Sequence, residues 1–170
     1  MKRRIYLCEG ETEQRLVKAL IEGELIAPGQ QRVFNTAQND VKKMLRRWGW
    51  GPVKFVLVVD ADTGPYDMSS RLAENLKTLE KSHKPKLVLQ CDNLEDELGR
   101  CCSITGDSLY WAFNASSASE FKKKFIKVRQ EQLLEKLNRC GFDFDRLWQR
   151  CCEGNMLNSG LRDYLWKKNS

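Results

Sequence analysis

A chain of 170 residues, 41% hydrophobic and 31% charged, has the make-up of a single globular domain with a sizeable core. No apolar run reaches the roughly 18 residues that suggest a membrane span, and the apolar stretch before Glu9 falls short of the roughly 7–15 residues of a signal-peptide core, so a cytoplasmic protein is expected. The net charge of +6, from 29 Lys and Arg against 23 Asp and Glu, suits a polyanionic partner without naming one.

Short aliphatic runs alternate with amphipathic stretches over the first two-thirds. Arg4-Ile5-Tyr6-Leu7-Cys8 reads as a strand, and Thr12 to Ile21 as a helix with Leu16, Val17, Leu20 and Ile21 at helical spacing. Pro28-Gly29 breaks the chain before a short strand at Arg32 to Asn35. Gln38 to Trp48 reads as a helix stopped by Gly49 and Gly51-Pro52. Lys54-Phe55-Val56-Leu57-Val58-Val59 is the strongest strand, apolar enough to be buried on both faces of a parallel sheet.

Met68 to Lys81 is expected to be helical, Lys86 to Gln90 a fourth strand, and Leu94 to Cys102 a helix again. From about Ser116 no strand is expected; Phe121 to Leu137 reads as one amphipathic helix, and Phe142 to Cys152 as a further short one. This order predicts an α/β fold: a Rossmann-like parallel sheet of about four strands flanked by helices. Residues 1–112 would form the α/β domain, and residues 113–170 a helical extension packed on it.

Seven cysteines do not make a disulfide framework, because the number is odd and Cys101-Cys102 and Cys151-Cys152 are adjacent pairs. With one histidine and no Cys-x-x-Cys, structural zinc lacks its usual ligands, so reduced, buried thiols are expected. His83, ahead of the fourth strand, reads as a surface residue.

Ligands of open α/β sheets bind beyond the carboxyl ends of the strands, and acidic residues fall at three such ends here. Glu9-Gly10 follows the first strand, Asp60-Ala61-Asp62 the buried one, and Asp92 to Glu97 the fourth. Converging carboxylates repel, and a divalent cation relieves the repulsion; oxygen donors of this kind suit Mg²⁺ or Mn²⁺. Glu11, Glu13 and Asp96, taken singly, equally suit helix caps or solvated surface.

Glu9-Gly10 after a first strand, followed by Asp60-x-Asp62 after a later one, resembles the TOPRIM signature of topoisomerases, primases and related nucleases. The stretch Glu9-Gly10-Glu11-Thr12-Glu13 is more closely similar to the TOPRIM nucleases of the overcoming-lysogenization-defect (OLD) group. The resemblance spans about residues 3 to 102. It implies metal-assisted phosphodiester hydrolysis of DNA or RNA, in phage defence or nucleic-acid processing, with metal ligands drawn from Glu9, Asp60, Asp62, Glu95 and Glu97. Asp60 and Asp62 would hold one metal ion; Glu9, Glu13 and one of Glu95 and Glu97 would hold or orient a second or handle a proton, Glu9 being also a candidate general acid/base. The resemblance also implies a lysine beyond the last acidic motif that stabilises transition-state charge. That lysine would be one of Lys122, Lys123 and Lys124, with Lys123 assigned the role. OLD proteins usually carry an ATPase domain, and the Gly-x-x-x-x-Gly-Lys-Ser/Thr loop is missing here, so a separate ATPase or other partner protein is the expected complement.

Lys42, Lys43, Arg46 and Arg47 form overlapping i, i+4 pairs, followed by Trp48 and Trp50, a pattern that suits phosphate tracking and stacking of unpaired bases and equally suits a solvated helix face with core tryptophans. Lys122 and Lys124 belong to a second basic stretch with Lys127 and Arg129. The competing function is a non-catalytic TOPRIM-like module that binds nucleic acid or protein; a phosphotransferase suffers from the missing phosphate loop.

Overall fold

The computed structural model describes residues 3–48, 53–61 and 70–148. Four strands, β1 (Arg3–Cys8), β2 (Gln30–Val33), β3 (Val53–Ala61) and β4 (Lys86–Cys91), form one sheet in the order β2-β1-β3-β4, and every neighbouring pair is parallel. Successive side chains in a strand point to opposite faces, and this alternation sorts the core into two layers. Ile5, Leu7, Phe55, Leu57, Val59, Leu87 and Leu89 face one way; Tyr6, Cys8, Val56, Val58 and Val88 face the other.

The first layer is closed by α2 (Val41–Trp48), through Val41, Met44 and Leu45, and by α3 (Ser70–Glu80), through Leu72 and Leu79. The second is closed by α1 (Glu11–Glu22), through Leu16, Val17 and Leu20, and by α4 (Leu94–Cys102), through Leu94 and Leu98. The helices α5 (Gly106–Ala112), α6 (Ala118–Lys127) and α7 (Gln130–Arg139) join that second layer, so the C-terminal helices share a core with the sheet. Phe113, Phe121 and Phe125 pack ring against ring there at centroid distances of 5.0 to 5.4 Å. Each such fully buried side chain contributes about 1.5–3 kcal/mol. Among the described residues no helix is long and apolar enough to cross a membrane.

The α/β parallel sheet agrees with the sequence expectation, and the departures have local causes. β2 lies two residues earlier than expected. The helix after it starts at Val41 rather than Gln38, because Asn35 Oδ1 accepts from the Ala37 and Gln38 amides and holds a turn, and Asp40 Oδ1 then accepts from the Lys42 amide. α5 was not anticipated; Thr105 caps it by accepting from the Ser108 amide.

The single helix expected from Phe121 to Leu137 is two helices, broken at Val128 and Arg129, which are extended. Arg15 of α1 donates to the Val128 carbonyl at the break. In an unbroken helix Leu133 would sit about 80° around the axis from Phe125; the break lets both face one core. Among the described residues after α7, only Phe144–Arg146 is helical, as a 3-10 turn; positions 149–152 of the expected last helix lie outside the described residues. The described ends of α3 likewise leave Met68 and Ser69 out.

His83 is not at the surface. It is buried and stands edge-on to Phe55, with ring centroids 5.1 Å apart. The thiols of Cys8, Cys101 and Cys102 are buried and free, and burial pushes those of Cys101 and Cys102 up to about 12.

Candidate functional site

The chain leaves β1 for α1 on one face of the sheet and leaves β3 for α3 on the other, so the carboxyl ends of these adjacent strands form a topological switch point, where open α/β sheets take their ligands. Glu9 and Asp60 stand there. Glu9 Oε2 accepts from the Asp60 amide at 2.9 Å, and its Oε1 accepts from Asn35 Nδ2 at 2.9 Å. One carboxylate thus ties the ends of β1 and β3 to the turn after β2. Asp62, the partner of Asp60 in the expected motif, lies outside the described residues, as does Gly64.

Gly10 is extended rather than left-handed, and its role is space: a Cβ there would stand 2.8 Å from Glu13 Oε2. Glu13, in the first turn of α1, is buried. Burial raises its carboxyl above the usual range. The Glu13 and Gly10 backbone amides and Lys122 oppose the rise, and Glu95 adds to it. The bond back to Gly10 is the returning half of a capping box, so the cap reading of Glu13 holds alongside any site role. Asp96 is likewise in a cap: its amide donates to Asn93 Oδ1 at 3.0 Å.

Glu95 and Glu97, two residues apart on α4, face different surroundings. Glu95 is buried and meets Lys122 Nζ at 3.3 Å. Burial alone would lower the Lys122 ammonium, but the charge and hydrogen bond of Glu95, with the charges of Glu13 and Asp60, raise it. Lys122 therefore joins Glu13, Asp60 and Glu95 in one electrostatic group. Glu97, expected in the metal set, is instead committed elsewhere: it pairs with Arg100 and accepts from the Trp148 amide at 2.6 Å.

The lysine assignment also changes. Lys122, not Lys123, reaches the acidic group; Lys123 is exposed, and Lys124 pairs with Glu120 at 2.6 Å and donates to the Asn114 carbonyl. Of the basic helix α2, Lys43, Arg46 and Arg47 line one cleft, whereas Lys42 is exposed and is not part of it. The Trp48 side chain and all of Trp50 lie outside the described residues.

Gln90 was missed by the sequence reading. It is fully buried at the end of β4, directly opposite Asp60 in the ladder, and among the described residues neither its amide oxygen nor its nitrogen finds a hydrogen-bond partner. It alternates with Leu89 and so lies on the Val88 face, the layer that holds Glu13 and Glu95. Leaving a buried amide unpaired costs about 1–3 kcal/mol, which a fold tolerates where a ligand completes the bonds. The signal available beforehand was an amide closing the apolar run Leu87-Val88-Leu89.

Together the fold and this edge define an α/β protein with a Rossmann-like sheet and an acidic cluster at its switch point. No family model, no curated protein and no solved structure matches the chain.

The Glu13 carboxyl yields a pH prediction. Its folded-state value is raised, so its contribution to stability is complete below the ordinary carboxylate range and is lost as pH rises through the raised value. Glu13→Gln, neutral throughout, is expected to match the parent in acid and to gain on it as pH rises. Denaturant melts across pH would show the difference widening; a constant difference would mean that Glu13 titrates ordinarily.

Proposed function

We propose that this chain is a divalent-metal-dependent phosphodiesterase acting on nucleic acid, with Glu9, Asp60 and Asp62 as its metal-holding edge. The observation that carries the reading is the convergence at one switch point of Glu9, Glu13, Asp60, Glu95 and Lys122 beside a fully buried Gln90 amide that has no hydrogen-bond partner among the described residues. The TOPRIM resemblance of Glu9-Gly10 and Asp60-x-Asp62 supports it, and a cytoplasmic setting fits.

The donors are hard carboxylate oxygens, which fit Mg²⁺ or Mn²⁺. Among the described residues no three His, Cys, Asp or Glu side chains form a group able to hold a metal ion, so the reading relies on Asp62 to complete the set with Glu9 and Asp60. The bound cation would supply activation of water and neutralisation of phosphate charge. Lys122 stabilises the charge that gathers on the non-bridging oxygens, held in place by Glu95. Glu13, its carboxyl raised, passes a proton to the leaving oxygen. A separate ATPase subunit is the partner the resemblance suggests.

A second reading, a non-catalytic nucleic-acid-binding module, is favoured by the same missing three-ligand group and by the Glu13 cap. The test incubates the purified protein with labelled single- and double-stranded DNA and RNA in Mg²⁺, Mn²⁺ or EDTA, beside Asp60→Asn. Cleavage that needs metal and drops about tenfold or more in the variant supports the hydrolase. Binding without cleavage in either metal, indifferent to Asp60→Asn, supports the module.

A further inference from the structure

A cleft of about 780 Å³ opens where the end of β2 meets α2 and α3. Its apolar wall is Phe34 with Val33, which is 47% exposed although most large hydrophobic side chains of the described residues are buried. Its rim carries Lys43, Arg46 and Arg47 from α2 and Arg71 from α3. Positions 43, 46 and 47 are three and four residues apart, so they share one helix face with about 5–6 Å between neighbouring Cβ atoms. Among the described residues no carboxylate forms an ion pair with these three, whereas Arg71 holds Glu74 at 3.1 Å. Among the described lining residues Asp40 contributes the one acidic side chain.

The cleft adjoins the acidic edge. The Phe34 amide donates to the Cys8 carbonyl at 2.8 Å, and the next residue, Asn35, donates to Glu9. Whatever lies along the wall at Phe34 therefore reaches the switch point within a residue or two.

The geometry points to this cleft as a binding site for single-stranded nucleic acid, its phosphates along Lys43, Arg46 and Arg47 and an unpaired base against Phe34 and Val33. A row of cations without carboxylate partners on one helix face attracts a polyanion by charge alone, with a salt dependence set by the number of phosphates engaged. The apolar wall decides between strands. A duplex keeps its bases stacked inside and would leave Phe34 and Val33 nothing to touch, whereas an unpaired base gains from an aromatic face. As the path by which substrate reaches Glu9, the cleft rests on the hydrolase reading above; as a binding site it is separable from it.

The test is fluorescence anisotropy with the full chain in EDTA, using a labelled oligothymidylate and a duplex of equal length over a salt series. The single strand is expected to bind about tenfold tighter or more. Lys43→Gln, Arg46→Gln and Arg47→Gln, at exposed helical positions where glutamine is well tolerated, should each lower the slope of log affinity against log salt by about 0.7. Phe34→Leu keeps an apolar side chain without the ring and should weaken binding about fivefold or more at unchanged slope. Equal affinity for duplex, or slopes that none of the three cation variants moves, would overturn the assignment. Asp60→Asn separates the two readings. If it leaves cleavage intact while the cleft variants lose binding, the acidic edge fails and the cleft stands. If it abolishes cleavage while the cleft variants bind normally, the cleft fails and the edge stands.

Discussion

Glu9→Gln is expected to reduce metal-dependent cleavage by about 10–100-fold or more and to lower stability by about 1–3 kcal/mol at the same time. Both effects follow from the two bonds of the native carboxylate. Its oxygens accept from two donors, the Asp60 amide and Asn35 Nδ2. Glutamine offers one oxygen and one NH₂ group, so one donor must meet another donor. If the amide oxygen stays with the Asp60 N–H, Asn35 loses its partner and the turn after β2 loosens. If it stays with Asn35, the end of β3 is freed, and with it the backbone that carries Asp60.

Glu9→Asp separates anchoring from chemistry. It keeps the charge on a side chain one methylene shorter, and it should keep metal dependence while losing rate. The checks are single-turnover cleavage against Mg²⁺ concentration and thermal melts of the same samples. A Glu9→Gln protein with a lowered melting temperature and undiminished cleavage would make Glu9 a strap between strands and no part of the chemistry.

The sheet was legible because β1, β3 and β4 carry runs buried on both faces, such as Phe55 to Val59, and their carboxyl ends were legible with them; β2, mostly exposed, gave the weaker signal. That is why Glu9 and Asp60 could be placed at the same edge of the sheet from the chain alone, whereas their standing side by side follows from the pairing of β1 with β3. The side chains around them required helix phase as well as order. Residues two apart on a helix point about 200° apart, so Glu95 and Glu97 cannot both face one site, and α4 gives the first to Lys122 and the second to Trp148. The same spacing disqualifies Lys123. It sits about 200° from Phe121, whose stripe with Phe125 faces the core, while Lys122 lies at the flank of that stripe, beside Glu95.

The break at Val128 was not legible by any local rule. No glycine or proline marks it, and the carbonyl it exposes is taken by Arg15, more than a hundred residues earlier. Gln90 was readable only as an exception, a polar group where an apolar one was due, and its significance depends on its standing opposite Asp60.

Glu97→Ala is expected to be the most destabilising single change described here, at about 3–5 kcal/mol, with no specific effect on cleavage by whatever remains folded. The carboxylate is fully enclosed, with a side-chain exposure of 1%, and two groups depend on it directly. Arg100, 21% exposed, pairs with it, and the Trp148 amide donates to it. Arg100 in turn donates to the Arg146 carbonyl, so the same pair pins the segment after α7 onto α4. Truncating Glu97 leaves a largely buried guanidinium without its countercharge and a buried amide without an acceptor, and each is penalised separately.

The double variant Glu97→Leu with Arg100→Met distinguishes this from simple loss of packing. Removing both charges together and filling their volume should recover much of the loss, because a buried pair replaced whole by apolar groups is commonly neutral, whereas a pair broken on one side is not. The remaining deficit should be about 1–3 kcal/mol, from the Trp148 amide that still lacks an acceptor and the Arg146 carbonyl that has lost its Arg100 donor. Denaturant unfolding of the parent, Glu97→Leu, Arg100→Met and the double variant completes the cycle that gives the coupling. A double variant no more stable than Glu97→Ala would show that the carboxylate acts through the Trp148 amide alone. A Glu97→Ala protein of parental stability that had lost cleavage would return Glu97 to the acidic site.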